Sequence, residues 1–84
     1  MGTVAVILKV MPDGLEVDLD SIQTQIKNKV DVKDMGLENV AFGLKAIKVA
    51  LELPDAEGVL DENIDKINEI EGVQSVEVDK MDLI

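Results

Sequence analysis

Hydrophobic and polar positions follow one another along the chain with two different periods. Residues 3–11 are a short apolar run rich in β-branched residues, which predicts a strand. The period is two in residues 44–53 and 73–81, which are also predicted to be strands. Positions 45, 47, 49, 51 and 53 of the former and 76 and 78 of the latter are predicted to face the core, whereas Glu77 and Asp79 are predicted to face water. Spacings of three and four residues define two apolar stripes, which predict two helices. Residues 37–42 are predicted as a further strand in which polar residues dilute the pattern, and residues 31–36 are predicted as a loop.

The two predicted helices carry signals for their boundaries. Their apolar stripes consist of Leu19, Ile22, Ile26 and Val30 in the first helix and of Leu60, Ile64, Ile67 and Ile70 in the second. Asp18 is expected to cap the first helix, because its carboxylate can accept a hydrogen bond from a free backbone N–H. Gly72 is expected to cap the end of the second helix, since glycine readily adopts the left-handed conformation that often follows helices.

The resulting order of elements, β-α-β-β-α-β, predicts an α+β fold, the ferredoxin-like plait. Both β-α-β units cross over in the right-handed sense, which gives a four-stranded antiparallel sheet in the order 4-1-3-2 with two helices on one face. The 84 residues are expected to form one such domain, residues 1–84. This topology places the turn after the second strand and the C-terminus at opposite ends of the sheet, roughly 25 Å apart.

The composition excludes most classes of catalytic site. The chain has 18 acidic residues and 8 basic residues, all of them lysine, and it lacks histidine and cysteine. Nucleophile systems with a histidine base cannot be built from this set, nor can the usual zinc, haem or iron–sulfur sites. The glycines are dispersed, so no glycine-rich phosphate-binding loop is present. We therefore predict a protein that is not an enzyme and that uses no cofactor and no metal.

A formal net charge of −10 also limits the partners that the chain can bind. Phosphate backbones and anionic membrane surfaces repel an acidic protein, so neither direct nucleic-acid binding nor membrane binding is expected. No apolar stretch is long enough to span a bilayer, and the N-terminus lacks the basic region and the cleavage pattern of a signal peptide. We expect a soluble, cytoplasmic binding module.

Phe42 is the only aromatic residue of the chain, and it lies beside Gly43 in the predicted turn between the second and third strands. Two interpretations are open: the ring fills the core, or it is an exposed anchor for a partner protein. Lys45 follows the turn, and Lys80 lies near the C-terminus. Each of these two lysines has the simpler interpretation of an ordinary solvated charge.

The sequence around this turn, together with both ends of the chain, resembles a known family. Residues 40–47 read Val-Ala-Phe-Gly-Leu-Lys-Ala-Ile, residues 10–12 read Val-Met-Pro, residues 17–19 read Val-Asp-Leu, and residues 71–78 read Glu-Gly-Val-Gln-Ser-Val-Glu-Val. Over essentially the whole chain, this combination resembles the archaeal translation elongation factor 1-beta family. The resemblance implies a factor that promotes exchange of GDP for GTP on the elongation factor 1-alpha GTPase by binding its nucleotide-free state.

The resemblance also implies where the partner is bound. In related eukaryotic domains the phenylalanine turn contacts one domain of the GTPase, and the C-terminal residues reach toward the nucleotide and Mg²⁺ site in another. The corresponding residues are Ala41, Phe42 and Gly43 in the turn, with Lys45 beside it, and Lys80, Met81, Leu83 and Ile84 at the C-terminus. Eukaryotic members have a lysine one residue before the end, where this chain has Leu83. Either Lys80 replaces that lysine, or the C-terminus acts as a wedge without a cation.

Two other functions are compatible with the residue pattern. A plait-type small-molecule regulatory module would act as a dimer and would melt at a higher temperature in the presence of its ligand. A purely structural interaction domain would bind its partner without altering nucleotide exchange. The pattern of residues by itself leaves both alternatives open.

Overall fold

The computed structural model describes residues 2–14, 16–41 and 43–83, which form six elements in the order β-α-β-β-α-β. The strands are β1 (Thr3–Pro12), β2 (Val32–Ala41), β3 (Leu44–Pro54) and β4 (Val73–Leu83), and the helices are α1 (Leu19–Lys29) and α2 (Val59–Asn68). All neighbouring strands are antiparallel, and their spatial order is β2-β3-β1-β4. The ferredoxin-like plait predicted from the sequence is confirmed.

One surface of the sheet, the helix face, carries the hydrophobic core. Every second residue of β1 and β3 points to this face, because side chains alternate along a strand. The core is formed by the buried side chains of Val6, Leu8 and Val10 in β1, Ile47, Val49, Leu51 and Leu53 in β3, and Ile22, Ile26, Val30, Ile67 and Ile70 in and beside the helices. No helix of the described residues covers the opposite surface, the open face. The core side of β3 is therefore the one that the alternation predicts.

The first helix begins where the sequence indicates. A carboxylate oxygen of Asp18 accepts hydrogen bonds from the backbone N–H groups of Asp20 and Ser21, at 3.1 and 3.3 Å, so Asp18 caps α1 as predicted. Asp20 lies in the first turn, and Lys27 and Lys29 lie in the last. These charges are favourable beside the partial charges of the two helix ends.

The end of the second helix differs from the prediction. α2 ends at Asn68, and Glu69 is its cap in a right-handed conformation, so the prediction that Gly72 is the C-cap is wrong. Gly72 has a φ of 98° in the turn before β4, and its carbonyl accepts a hydrogen bond of 2.7 Å from the backbone N–H of Asp13. A Cβ at this position would lie 2.9 Å from a methyl carbon of Val17, so the site also requires a residue without a side chain.

The edge strand β2 begins five residues before the predicted strand. Val32 is opposite Leu51, but Asp34 is opposite Ala50, so Lys33 is an extra residue that forms a β-bulge. The bulge interrupts the two-residue alternation among residues that are mostly polar. The prediction of a loop over residues 31–36 is therefore wrong from Val32 onward.

The other edge strand, β4, follows its predicted pattern in part. Val76 packs against the core, whereas Val78 on the same face is 43% exposed. This exposure arises because β4 has a neighbour on one side only. Glu77 and Asp79 are exposed, as predicted.

The topology separates the two ends of the sheet. Leu44 begins β3 at the end where the chain turns back from β2, whereas Leu83 is opposite Val4, which is itself opposite Leu53. The nine residue steps from Leu44 to Leu53 correspond to roughly 30 Å along the strand. The molecule measures 42 × 21 × 17 Å, so the length of the strands sets its longest dimension.

Candidate functional site

The candidate residues that the structure describes lie in two groups at opposite ends of the sheet. The turn site comprises Ala41, Phe42, Gly43 and Lys45, and the C-terminal site comprises Lys80, Met81, Leu83 and Ile84. Phe42 and Ile84 lie outside the described residues. The described members of each group lie within a few residues of one another along the chain. Residues of the two groups line different pockets, Gly43 and Lys45 the one and Met81 the other.

A hairpin connection builds the turn site. Ala41 at the end of β2 is opposite Leu44 at the start of β3, and the preceding residue, Val40, is an extra residue in the pairing. Gly43 has a φ of 81°, a left-handed conformation that favours glycine and helps the chain reverse its direction. The pairing of β2 with β3 therefore extends to Ala41 and Leu44, the residues next to the turn.

A pocket of about 210 Å³ borders the turn site. It is lined by Gly43, Leu44 and Lys45 on one side and by Pro12, Gly14, Val17 and Leu19 on the other. Lys45 and Gly43 are exposed, and on β2 the side chain of Val40 is 40% exposed. This end of the sheet therefore combines apolar surface with a single cation.

The C-terminal site is the end of a paired strand and not a free tail. β4 continues to Leu83, two residues beyond its predicted end. Met81 is opposite Val6, and Leu83 is opposite Val4. Met81 and Leu83 are nevertheless 56% and 70% exposed. Backbone pairing holds these two apolar side chains in place while leaving most of their surface in water.

An apolar groove of about 180 Å³, the C-terminal groove, lies beside Met81 on the helix face. It is lined by Val4, Val6, Leu53, Pro54, Asp55, Ala56, Leu60 and Met81. The groove exists because α2, with 10 residues, is only about 15 Å long, whereas the 11 residues of β4 extend over roughly 36 Å. Asp55 belongs to this lining, and the exposed Glu57, Asp61 and Glu62 follow it along the chain; these four carboxylates are called the acidic rim of the groove.

Lys80 lies on the other side of the sheet from the C-terminal groove. It is opposite Ile7 on the open face, and its ammonium group is 3.7 Å from the carboxylate of Asp82. Met81 and Leu83 lie on the helix face. The cation and the two exposed apolar side chains of this site are therefore presented on opposite faces of β4.

A β-bulge at Asp79 produces this division between the faces. Leu8 is opposite Val78, but Ile7 is opposite Lys80, so Asp79 has no partner residue in β1. One extra residue reverses the face of every residue that follows it in a strand. The bulge therefore keeps the last apolar residues of β4 on the helix face, where an unbroken strand would turn them to the open face.

Lys48 in β3 bridges both edge strands across the open face. Its ammonium group contacts the carboxylate of Asp79 in β4 and lies 3.3 Å from that of Glu38 in β2. The hydrogen bond to Asp79 raises the pKa of Lys48, and the same hydrogen bond lowers the pKa of the Asp79 carboxyl group. Both shifts favour the charged forms, so the bridge is fully ionised at neutral pH.

Sequence reasoning missed the C-terminal groove, the bulge and the Lys48 bridge. One signal for the bulge is present, because the apolar residues at positions 76, 78, 81 and 83 break the two-residue period after Val78. Such a break indicates one extra residue in the strand. The bridge has no local signal, since Glu38, Lys48 and Asp79 belong to three different strands.

The groups present at both sites are those of binding surfaces. Apolar side chains, single lysines and exposed carboxylates are suited to contacts with another macromolecule. Within residues 2–14, 16–41 and 43–83, no three acidic side chains converge in a way that could hold a metal ion. No helix in the described part of the chain is long and apolar enough to cross a membrane.

Comparison with known proteins extends this description. Residues 5–84 match the family model described as the EF-1 guanine nucleotide exchange domain, and this range contains both candidate sites. Two proteins named elongation factor 1-beta, from Archaeoglobus fulgidus and Methanospirillum hungatei, are 42% and 45% identical to this chain over 88 and 85 positions, which cover 100% of both sequences in each case. The elongation factor 1-beta of Aeropyrum pernix is 40% identical over 86 positions and 96% of either sequence.

Proposed function

Because the chain belongs to the family of EF-1 guanine nucleotide exchange domains, we propose that residues 1–84 act as a single domain that promotes exchange of GDP for GTP on elongation factor 1-alpha. The chain does so by binding the nucleotide-free state of this GTPase. If it binds the empty GTPase more tightly than the loaded one, it must weaken nucleotide binding by the same factor. No bond is made or broken by this chain, so it acts as a binding protein in the cytoplasm and not as an enzyme.

The observation that carries the proposal is the presence of two separate, exposed candidate sites on one sheet. The turn site and the C-terminal site are roughly 30 Å apart along β3. A domain of about 100 residues has a radius of gyration of roughly 13 Å, which corresponds to a sphere of about 17 Å radius. The centres of two neighbouring domains therefore lie roughly 30 Å apart. A body of this length can contact two domains of one GTPase at the same time.

The turn site is proposed as the anchor. Phe42 is the aromatic residue that the family resemblance assigns to the partner, and aromatic side chains are frequent among the residues that dominate binding energy. Its neighbour Gly43 is exposed, and Lys45 supplies a cation beside the pocket at this end of the sheet. These features support an anchoring contact that is made whether or not nucleotide is bound.

The C-terminal site is proposed as the part that disturbs the nucleotide site, and its geometry supports a wedge without a cation. The ammonium group of Lys80 is paired with Asp82 on the open face. Lys80 is also three residues, or roughly 10 Å, from the position of Leu83. Leu83 occupies the position at which eukaryotic members have their lysine. Met81 and Leu83 are exposed apolar groups on the helix face at this end of β4, and they enter the GTPase in this proposal.

The acidic rim of the C-terminal groove supports the same assignment. Phosphate groups are bound in GTPases by lysine and by backbone N–H groups, which leave positive potential in the empty site. A surface that carries Asp55, Asp61 and Glu62 complements this potential once the phosphates have left. Such a surface favours the nucleotide-free state, because the same carboxylates repel bound GDP.

The test is the release of fluorescent GDP from elongation factor 1-alpha of the same organism in excess unlabelled nucleotide. The proposal predicts that substoichiometric amounts of the chain accelerate release. Tight binding without acceleration would contradict it and would indicate a structural partner. The absence of binding would also contradict it, and a dimer with ligand-dependent melting would then support the small-molecule regulatory module.

A further inference from the structure

One ammonium group joins the strands that lead to both candidate sites. Glu38 lies in β2 three residues before Ala41, and Asp79 lies in β4 two residues before Met81. Lys48 lies in β3 and contacts both carboxylates. Since β1 separates β3 from β4, the Lys48 side chain reaches across a whole strand, a distance of roughly 10 Å. The bridge therefore spans the open face from one edge of the sheet to the other.

The end of β4 has little else that keeps its register. A one-residue slip is strongly disfavoured only where one face of a strand is buried. Here Met81 and Leu83 are mostly exposed, so their burial in the folded chain contributes little to the choice between registers. β4 is also an edge strand, and only β1 pairs with this segment. The contact between Lys48 and Asp79 acts at the residue from which the bulged register and the unbroken register diverge.

We propose that Lys48 is a positioning residue for the C-terminal site. It holds Asp79 in the bulge and thereby keeps Met81 and Leu83 on the helix face beside the C-terminal groove. The consequence for nucleotide exchange rests on the proposed function, whereas the positioning effect is a property of the chain alone. The two parts can therefore fail separately.

The first measurement follows the end of β4 in the isolated chain by NMR and by amide hydrogen exchange. Lys48→Met removes the ammonium group and keeps the apolar stem of the side chain. Hydrogen exchange of residues 80–83 is expected to become roughly 2- to 5-fold faster, the range for an exposed ion pair. Lys48→Arg keeps a cation and should restore slow exchange. Lys27→Met is the control, because Lys27 is an exposed lysine in the last turn of α1 and does not belong to the sheet.

A second variant tests the bulge itself. Deleting Asp79 removes the extra residue, so the strand can pair with β1 only in the unbroken register. Lys80 then follows Val78 directly, so Met81 pairs with Val6 without a bulge and no longer depends on Lys48. In this background Lys48→Met should not accelerate hydrogen exchange of residues 80–83. If it accelerates exchange as much as in the full-length chain, Lys48 does not act through Asp79 and the proposal is wrong.

The second measurement is GDP release as a function of chain concentration. Lys48→Met should lower the maximal rate in proportion to the loss of chains from the bulged register, a reduction that is at most roughly 5-fold for an exposed ion pair. The half-saturating concentration should be unchanged, and Lys48→Arg should restore the rate. Wild-type hydrogen exchange of residues 80–83 together with a wild-type maximal rate in Lys48→Met would overturn the proposal. If hydrogen exchange rises but the wild-type chain releases no GDP, the positioning role stands and the proposed function fails.

Discussion

Replacing Leu83 by alanine tests the proposed wedge at the end of β4. Leu83 is 70% exposed and is held by backbone pairing opposite Val4. Because most of its side chain already lies in water, the truncation removes little burial from the folded chain. The free energy of unfolding is expected to change by less than about 0.5 kcal/mol, as at other exposed positions. Any larger effect on the GTPase must then come from the contact with the partner.

The magnitude follows from the surface that a partner can still cover. Truncation to alanine removes three carbon groups, and each contributes about 0.8 kcal/mol when it is fully buried. With 70% of Leu83 exposed, complete burial by the GTPase would gain about 1.7 kcal/mol from these groups. At 1.4 kcal/mol per factor of ten, this corresponds to a roughly 15-fold effect. We expect it in the maximal rate of GDP release, since a wedge acts when the nucleotide site opens.

The assay is GDP release at increasing concentrations of the chain, which separates the maximal rate from the half-saturating concentration. Leu37→Ala is the matched control, because Leu37 is 47% exposed on the opposite edge strand and lies outside both candidate sites. Thermal unfolding monitored by circular dichroism should show that both variants are folded. A wild-type maximal rate in Leu83→Ala would refute the wedge, as would an equal loss in Leu37→Ala.

Three further variants probe the anchor, a turn and the bridge. Phe42→Ala is expected to raise the half-saturating concentration for GDP release with little change in the maximal rate, and an unchanged concentration would contradict the anchoring role. Gly72→Ala should lower the free energy of unfolding in urea by at least about 1 kcal/mol, because its φ of 98° disfavours a side chain, whereas Gly36→Ala, with nothing within 4 Å of the added carbon, should not be destabilising. In wild type the contact with Lys48 lowers the pKa of Asp79, so its stabilisation is present above the ordinary aspartate pKa of 3.8 and is lost as the pH falls through the lowered pKa. Asp79→Asn should lack this stabilisation at every pH. The difference in unfolding free energy between these two proteins should therefore shrink on acidification, and a constant difference would exclude the contact with Lys48 as its cause.

The inner strands of the sheet are predictable because nothing interrupts their alternation. In β3 the residues Ile47, Val49 and Leu51 are buried in turn, and both edges of the strand are paired. A strand that is paired on both sides with one buried face tolerates no slip of register. The order of elements and the handedness of the crossovers then determine the fold.

The edge strands are less predictable, and the reason is physical. Lys33 in β2 and Asp79 in β4 are extra residues that an edge strand accommodates because it has only one neighbour. Each bulge shifts the period of two by one residue. In β2 this shift, combined with polar residues, led to the prediction of a loop. In β4 it reversed the face on which the last residues lie.

The candidate sites were likewise predictable only in part. The residues of both groups could be named from the sequence, because a family resemblance reports which residues recur. It does not report the face of the sheet on which each residue lies. That Lys80 and Leu83 lie on opposite faces depends on the bulge, and the bridge made by Lys48 depends on the pairing of all four strands. The bulge has a local signal in the break of the two-residue period after Val78, whereas the bridge arises from tertiary structure and has none.

The central claim is that the chain stabilises the nucleotide-free GTPase, and equilibrium affinities test it most directly. The affinity of the chain for elongation factor 1-alpha would be measured with the GTPase empty and with GDP bound, at one Mg²⁺ concentration. The account predicts tighter binding to the empty form, by the same factor by which the chain weakens GDP binding. Equal affinity for both forms would contradict the account, however tight that binding is, because such a ligand shifts no equilibrium.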